Sequence, residues 1–124
     1  MSAYPSKILT GLALLPSALG ASLLASHFSG RVYTLDFDES SGNLSVVADY
    51  AGCGTTPGWL ELYPEDASLW CFDESWTGSG PIVQYDVADD GTLTQGLQFQ
   101  TTGNTVHGLL YGGPDGKSFI ASTQ

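Results

Sequence analysis

Ser29-Gly30-Arg31-Val32-Tyr33-Thr34-Leu35-Asp36 and Ser79-Gly80-Pro81-Ile82-Val83-Gln84-Tyr85-Asp86 are the stretches on which the fold turns, and they lie fifty residues apart. Each begins with a Ser-Gly turn and runs into a strand-like segment rich in Val, Tyr, Leu and Ile. The match extends outward at the same spacing of fifty: Pro57 meets His107, Leu60 meets Leu110, Pro64 meets Pro114, Glu65 meets Asp115 and Leu69 meets Phe119. Between these blocks the offset slips to 49, where Leu44-Ser45 meets Leu93-Thr94. One insertion in a hairpin and one deletion in a loop account for the slip. Phe-Asp-Glu-Ser also occurs twice, at 37–40 and 72–75, but that spacing of thirty-five is out of register with the repeat. It is a coincidence of two acidic strand ends.

Nine strand-like runs fill the repeat: 21–27, 31–37, 44–49, 59–63, 68–72, 82–87, 93–99, 106–111 and 118–122. Val, Leu, Tyr, Phe and Trp are frequent in them. Turn clusters such as Ser41-Gly42-Asn43, Pro64-Glu65-Asp66 and Asp89-Asp90-Gly91 stand between them. Gly and Asn tolerate positive φ and Pro presets the first turn position, so each cluster can reverse the chain. Beyond residue 20 no stretch keeps a 3.6-residue apolar period long enough for a helix. Four strands recurring every 40 to 50 residues are the pattern of a β-propeller blade, so the chain is read as all-β with antiparallel four-stranded units.

Composition narrows the function. A length of 124 residues fits one domain at most. Of these residues 42% are hydrophobic, 14 are aromatic and 16 are glycine, which suits a turn-rich packed chain and not a disordered acidic tail. Three basic against 13 acidic residues give a net charge of −10. Such a surface repels a nucleic-acid backbone, so no nucleic-acid partner is expected.

Residues 1–20 read as a secretory leader. Lys7 supplies the charged start, Ile8–Leu19 the apolar stretch, and Ala18-Leu19-Gly20 a small-residue cleavage site. A stable membrane anchor is the rival reading, but Thr10, Pro16, Ser17 and Ser22 interrupt the run. Cleavage leaves 104 residues with Arg31 and Lys117 as the basic ones and a charge of −11. A secreted, extracellular chain meets an oxidising environment, so the two cysteines, Cys53 and Cys71, are expected to pair. The closed loop of about 19 residues is worth roughly 3 kcal/mol. A zinc site lacks ligand spacing, and no metal or other cofactor is expected. Asn43-Leu44-Ser45 is an N-glycosylation sequon after a turn.

Cys53-Gly54-Thr55-Thr56-Pro57-Gly58-Trp59-Leu60 followed by Leu69-Trp70-Cys71-Phe72-Asp73-Glu74 resembles the first blade of secreted fungal lactonase-family propellers. That family includes bacterial 6-phosphogluconolactonase and fungal carboxy-cis,cis-muconate cyclase. Gly91-Thr92-Leu93-Thr94, Thr102-Gly103-Asn104-Thr105-Val106-His107-Gly108 and Asp115-Gly116-Lys117 resemble the second blade. The resemblance spans nearly all of residues 21–124. It implies a seven-bladed ring, which at fifty residues per blade needs about 350 residues. Residues 21–124 then form an incomplete propeller of about two blades: three strands of a blade over 21–49, one full blade over 57–99, and two strands of the next over 106–122. The expectation is an N-terminal fragment, inactive alone, which needs the missing blades or self-association to close its faces.

The resemblance also implies the chemistry: hydrolysis or closure of a lactone, with a small-molecule lactone or carboxylate bound by the full-length parent. His107 starts an inner strand and is the candidate catalytic residue, since imidazole exchanges protons near neutral pH. Arg31 can bind a carboxylate or phosphate of the substrate, although its place beside a hairpin turn suits the rim. Trp76 in Ser75-Trp76-Thr77-Gly78 is the best exposed aromatic for substrate stacking. Trp59 and Trp70 sit in strand patterns and read as core, and His27 as a structural histidine. Other chemistries fail: there is no Gly-x-Ser-x-Gly elbow. The Asp36–Ser40 run lacks the glycine of a calcium loop, and Val47 stands where its Glu is needed. Asp73-Glu74 project to opposite faces of a strand and cannot form a two-carboxylate site by themselves. The competing function is a small secreted acidic β protein that binds a partner or a carbohydrate without catalysis.

Overall fold

A computed structural model describes residues 20–123. The leader read over residues 1–20 therefore lies, Gly20 apart, outside the described residues. The strands follow in chain order: β1 (Gly20–His27), β2 (Arg31–Asp38), β3 (Asn43–Ala51), β4 (Pro57–Tyr63), β5 (Ser68–Asp73), β6 (Pro81–Val87), β7 (Leu93–Gln100), β8 (His107–Tyr111) and β9 (Phe119–Thr123). A short 3-10 turn, Pro64–Asp66, joins β4 to β5. All neighbouring pairs are antiparallel, in sheets ordered β1-β2-β3, β4-β5-β6-β7 and β8-β9. Consecutive strands pair within each sheet, as short connections favour.

The self-match in the sequence is also a match in geometry. The β2–β3 ladder shifts register at Thr34/Leu35, and the β6–β7 ladder shifts between Val83 and Tyr85, about fifty residues further on. A bulge bends its strand and increases local twist, so the two sheets carry the same distortion at the same phase.

Strand β5 explains why the sheets stack. Ser68-Leu69-Trp70-Cys71-Phe72-Asp73 is buried at every position. Successive side chains point to opposite faces, so both faces of this strand need cover. Leu69 and Cys71 join Val32, Cys53, Val83 and Tyr85 in a cluster shared with the first sheet. Trp70 and Phe72 join Ile82 and, from the third sheet, Leu110 and Ile120. The disulfide Cys53–Cys71, with Cα atoms 5.6 Å apart, ties the β3–β4 linker to β5 inside the first cluster.

Polar bonds fix the sheets to one another. Thr34, buried, donates from Oγ1 to the Gly91 carbonyl at 2.7 Å. The Tyr85 hydroxyl donates to the Ala51 carbonyl at 2.8 Å, and burial pushes its phenol pKa up. The Leu110 N–H donates to Tyr63 Oη at 2.7 Å. Lys117 crosses from the third sheet to bond Asp66 and Glu65 and lies 4.9 Å from the centre of the Tyr63 ring. Hydrogen bonds to Asp66 and then Glu65 raise the Lys117 pKa, and Lys117 in turn lowers that of Glu65.

Gly108 lets β8 lie against β5, because an added Cβ there would overlap the Phe72 ring. Among the described residues no helix is long and apolar enough to cross a membrane.

Candidate functional site

Strands β4 and β8 open the second and third sheets and pack against each other. In a propeller the opening strand of each four-stranded blade borders the central channel. His107 is the first residue of β8, and its half-buried ring lies 4.5 Å from the Trp59 ring at an interplanar angle of 52°. Trp59 Nε1 donates to Glu61 Oε2 at 3.0 Å. The indole thus contacts the imidazole with its ring and a carboxylate with its N–H. Trp59 and Glu61 share a face because they are two apart on one strand.

A second indole–carboxylate pair stands over Gly58, the residue before Trp59, and packs on the β1–β2 turn of the first sheet. Glu74 follows β5 and covers Gly58, its Cβ and Oε2 each 3.2 Å from where a Cβ on that glycine would stand. Trp76 Nε1 donates to Glu74 Oε1 at 2.8 Å, and the Trp76 ring meets Phe28 edge to face at 5.9 Å. Trp76 is 64% exposed, on a loop between β5 and β6. Asp73, the neighbour of Glu74, points inward instead. It is buried and accepts from the Thr56 N–H at 2.7 Å and the Thr56 hydroxyl at 3.0 Å.

Arg31 stands apart from His107. It belongs to the first sheet, where Nε lies 2.5 Å from Asp49 Oδ1, and that bond raises the guanidinium pKa. Its charge is directed at a carboxylate of its own sheet. His27 closes β1 as an exposed residue with Nδ1 2.9 Å from Ser29 Oγ, a turn contact and not an interior one. Trp70 is buried in the core, whereas Trp59 is only half-buried and has His107 against it. The Asp36–Ser40 run ends in a tight hairpin, with Asp38 accepting from Ser40 and Ser41. Among the described residues no three His, Cys, Asp or Glu side chains are grouped to hold a metal.

Glu61 and Glu74 are not legible as site residues by type alone, since carboxylates abound in this chain. The usable signal is their spacing from tryptophan, Trp59-Leu60-Glu61 and Glu74-Ser75-Trp76, which sets each pair two apart.

A four-stranded antiparallel unit in a fifty-residue repeat, with a histidine–indole pair on neighbouring opening strands, is the build of a propeller blade and its channel-side edge. The family model described as lactonase, 7-bladed beta-propeller, matches residues 21–124, and the chain belongs to that family. The sheets of three, four and two strands are part of such a ring. No curated protein and no solved structure shows a significant match to this chain.

Proposed function

We propose that the chain forms the first blades of a secreted propeller that hydrolyses a small-molecule lactone or closes one from a carboxylate, and that residues 21–124 alone are inactive. The observation that carries this is the His107 ring held against Trp59 on adjacent opening strands, within a chain of the lactonase family. In the hydrolytic direction a water oxygen attacks the lactone carbonyl carbon and His107 accepts the departing proton. The acyl C–O bond then breaks, and the ring oxygen leaves as a hydroxyl after taking a proton back. Trp59 supports the imidazole plane, and Glu61 holds Trp59 by its N–H. The donors for the developing oxyanion come from further blades, which is why the isolated chain lacks turnover.

The test is hydrolysis of aldonolactones by a complete ring and by residues 21–124 alone. In the complete ring His107→Gln lowers kcat by about 10²- to 10⁴-fold, the usual contribution of a positioned acid–base. An unchanged kcat removes His107 from the mechanism, and turnover by the short chain removes the need for further blades.

A second reading, carbohydrate binding without catalysis, draws on the exposed Trp76–Phe28 pair with Glu74 beside it. An aromatic face suits a sugar ring, and a carboxylate accepts from its hydroxyls. Under that reading Trp76→Ala abolishes a sugar-dependent change in tryptophan fluorescence while His107→Gln leaves it intact.

A further inference from the structure

We propose that Asn43 carries an N-linked glycan that shields the outer edge of β3 from pairing with another chain. Asn43 is exposed at the first position of β3, just past the turn that Asp38 closes, and Ser45 completes the sequon. The residues beside it are the reason a cover is needed. Leu44, Val46 and Val47 are 56%, 62% and 59% exposed, which places three aliphatic side chains in water within four residues of the sequon asparagine. Among the described residues β3 pairs with β2 and with no strand on its other side. An exposed apolar edge strand is a template for edge-to-edge association, which proteins blunt with charge, proline or cover. Within Leu44–Val47 there is no charge and no proline.

The corresponding edge of the second sheet is protected differently. β7 exposes Leu97 and Phe99 but interleaves them with Gln95, Gln98 and Gln100. It has no sequon. The sequon therefore sits beside the exposed aliphatic run Leu44–Val47, broken only by Ser45, whereas the far end of β3 carries Asp49, paired with Arg31 of β2. Four residues of extended chain span about 13 Å, so a bulky glycan on Asn43 lies close enough to overhang Val47.

The donor is a polyprenyl-diphosphate-linked oligosaccharide, the class of co-reactant met by chains entering a secretory compartment. The anomeric C–O bond to the diphosphate breaks, and that oxygen keeps the electron pair and leaves with the lipid diphosphate. A C–N bond forms to Asn43 Nδ2, which gives up one proton to a base. Exposure of Asn43 at a strand end leaves the amide open to that transfer in the folded chain as well as before folding.

The test uses the full chain secreted from a eukaryotic host. Peptide N-glycosidase applied under native conditions is expected to lower the intact mass by one glycan and leave an aspartate in place of Asn43. Light scattering on the stripped protein is expected to show a weight-average mass raised at least about twofold over the glycosylated form at equal concentration, as edges pair. Ser45→Ala, which removes the sequon and keeps the asparagine, behaves as the stripped protein does. Adding Val46→Lys to Ser45→Ala brings the mass back down. An undigested mass equal to the bare polypeptide overturns the site. A stripped protein with unchanged association, or association that Val46→Lys does not relieve, overturns the shielding. If Ser45→Ala fails to leave the host, enzymatic stripping of the folded protein still decides.

Discussion

At the tip of the β2–β3 hairpin one carboxylate organises the turn. Asp38 Oδ1 accepts from the Ser40 N–H at 2.9 Å and the Ser40 hydroxyl at 2.7 Å, and Oδ2 accepts from the Ser41 hydroxyl at 2.7 Å. Those bonds favour the ionised form, the Ser40 hydroxyl most, and lower the Asp38 pKa to about 2. A lowered folded pKa means the unfolded chain binds the proton first as pH falls. The turn's contribution is therefore full above the ordinary value of 3.8 and is lost as pH drops toward 2. Carboxyl-carbon NMR of the folded protein is expected to give a midpoint near 2 for Asp38, and Ser40→Ala with Ser41→Ala is expected to move it up toward 3.8. A midpoint already at the ordinary value in the unaltered protein refutes the hydrogen-bond account. Single residues also decide how much of the candidate site is legible. His107 stands out in the sequence because it begins a strand after a Gly-Asn turn segment, but its partner Trp59 reads as core. Strand alternation reports which side of a strand a ring takes, not whether the next blade leaves part of that ring open. Arg31 reads as an anion ligand because its partner Asp49 lies eighteen residues away and meets it only through the β2–β3 register.

Strand β8 depends on a missing side chain. Gly108 is buried against the Phe72 ring, so Gly108→Ala must push the strand off β5 or force Phe72 from its place. Overpacking of this kind costs about 1–3 kcal/mol. Urea unfolding of residues 21–124, or of a complete ring, is expected to show that loss for Gly108→Ala and a much smaller one for the exposed neighbour Leu109→Ala. Equal effects at both positions would remove the packing account. Strand β5 makes the complementary prediction in the same assay, for Phe72→Ala opens a cavity in a fully buried position and is expected to cost about 3–5 kcal/mol. Elements are the scale at which the sequence is most readable. The runs rich in β-branched and aromatic residues become strands, because turns of Gly, Pro, Asn and Asp leave few alternatives between them. The ends are less legible: the run read from Leu44 to Asp49 extends as β3 to Ala51, because ladder bonds to β2 continue past the apolar pattern. The bulges are half hidden. Gly96 inside β7 is a residue type that marks an irregular strand, whereas the extra residue of β3 falls at Val47, which fits a regular strand as well as a bulged one.

Besides the β3 edge, the three sheets leave apolar surface open in two further places. Where, among the described residues, β1 has no strand paired on its inner side, a groove of about 400 Å³ is lined in part by Leu23, Leu24, Leu60, Leu62 and Leu69. At the far end β8 and β9 expose Leu109, Tyr111 and Phe119. In a ring, neighbouring strands and blades would cover such faces; for residues 21–124 alone the cover at hand is another copy. The charge of the chain acts against that contact. With Arg31 and Lys117 each joined to carboxylates, the remaining acidic groups make two copies repel. The repulsion is screened as the Debye length falls from about 10 Å at 0.1 M salt to about 3 Å at 1 M, while apolar contact is not weakened by salt. Sedimentation of residues 21–124 is therefore expected to show a weight-average mass that rises with sodium chloride, and a complete ring is expected to show no such rise. Copies that separate as salt increases would be held by ion pairs, which would mean that the apolar faces are not the surfaces that associate.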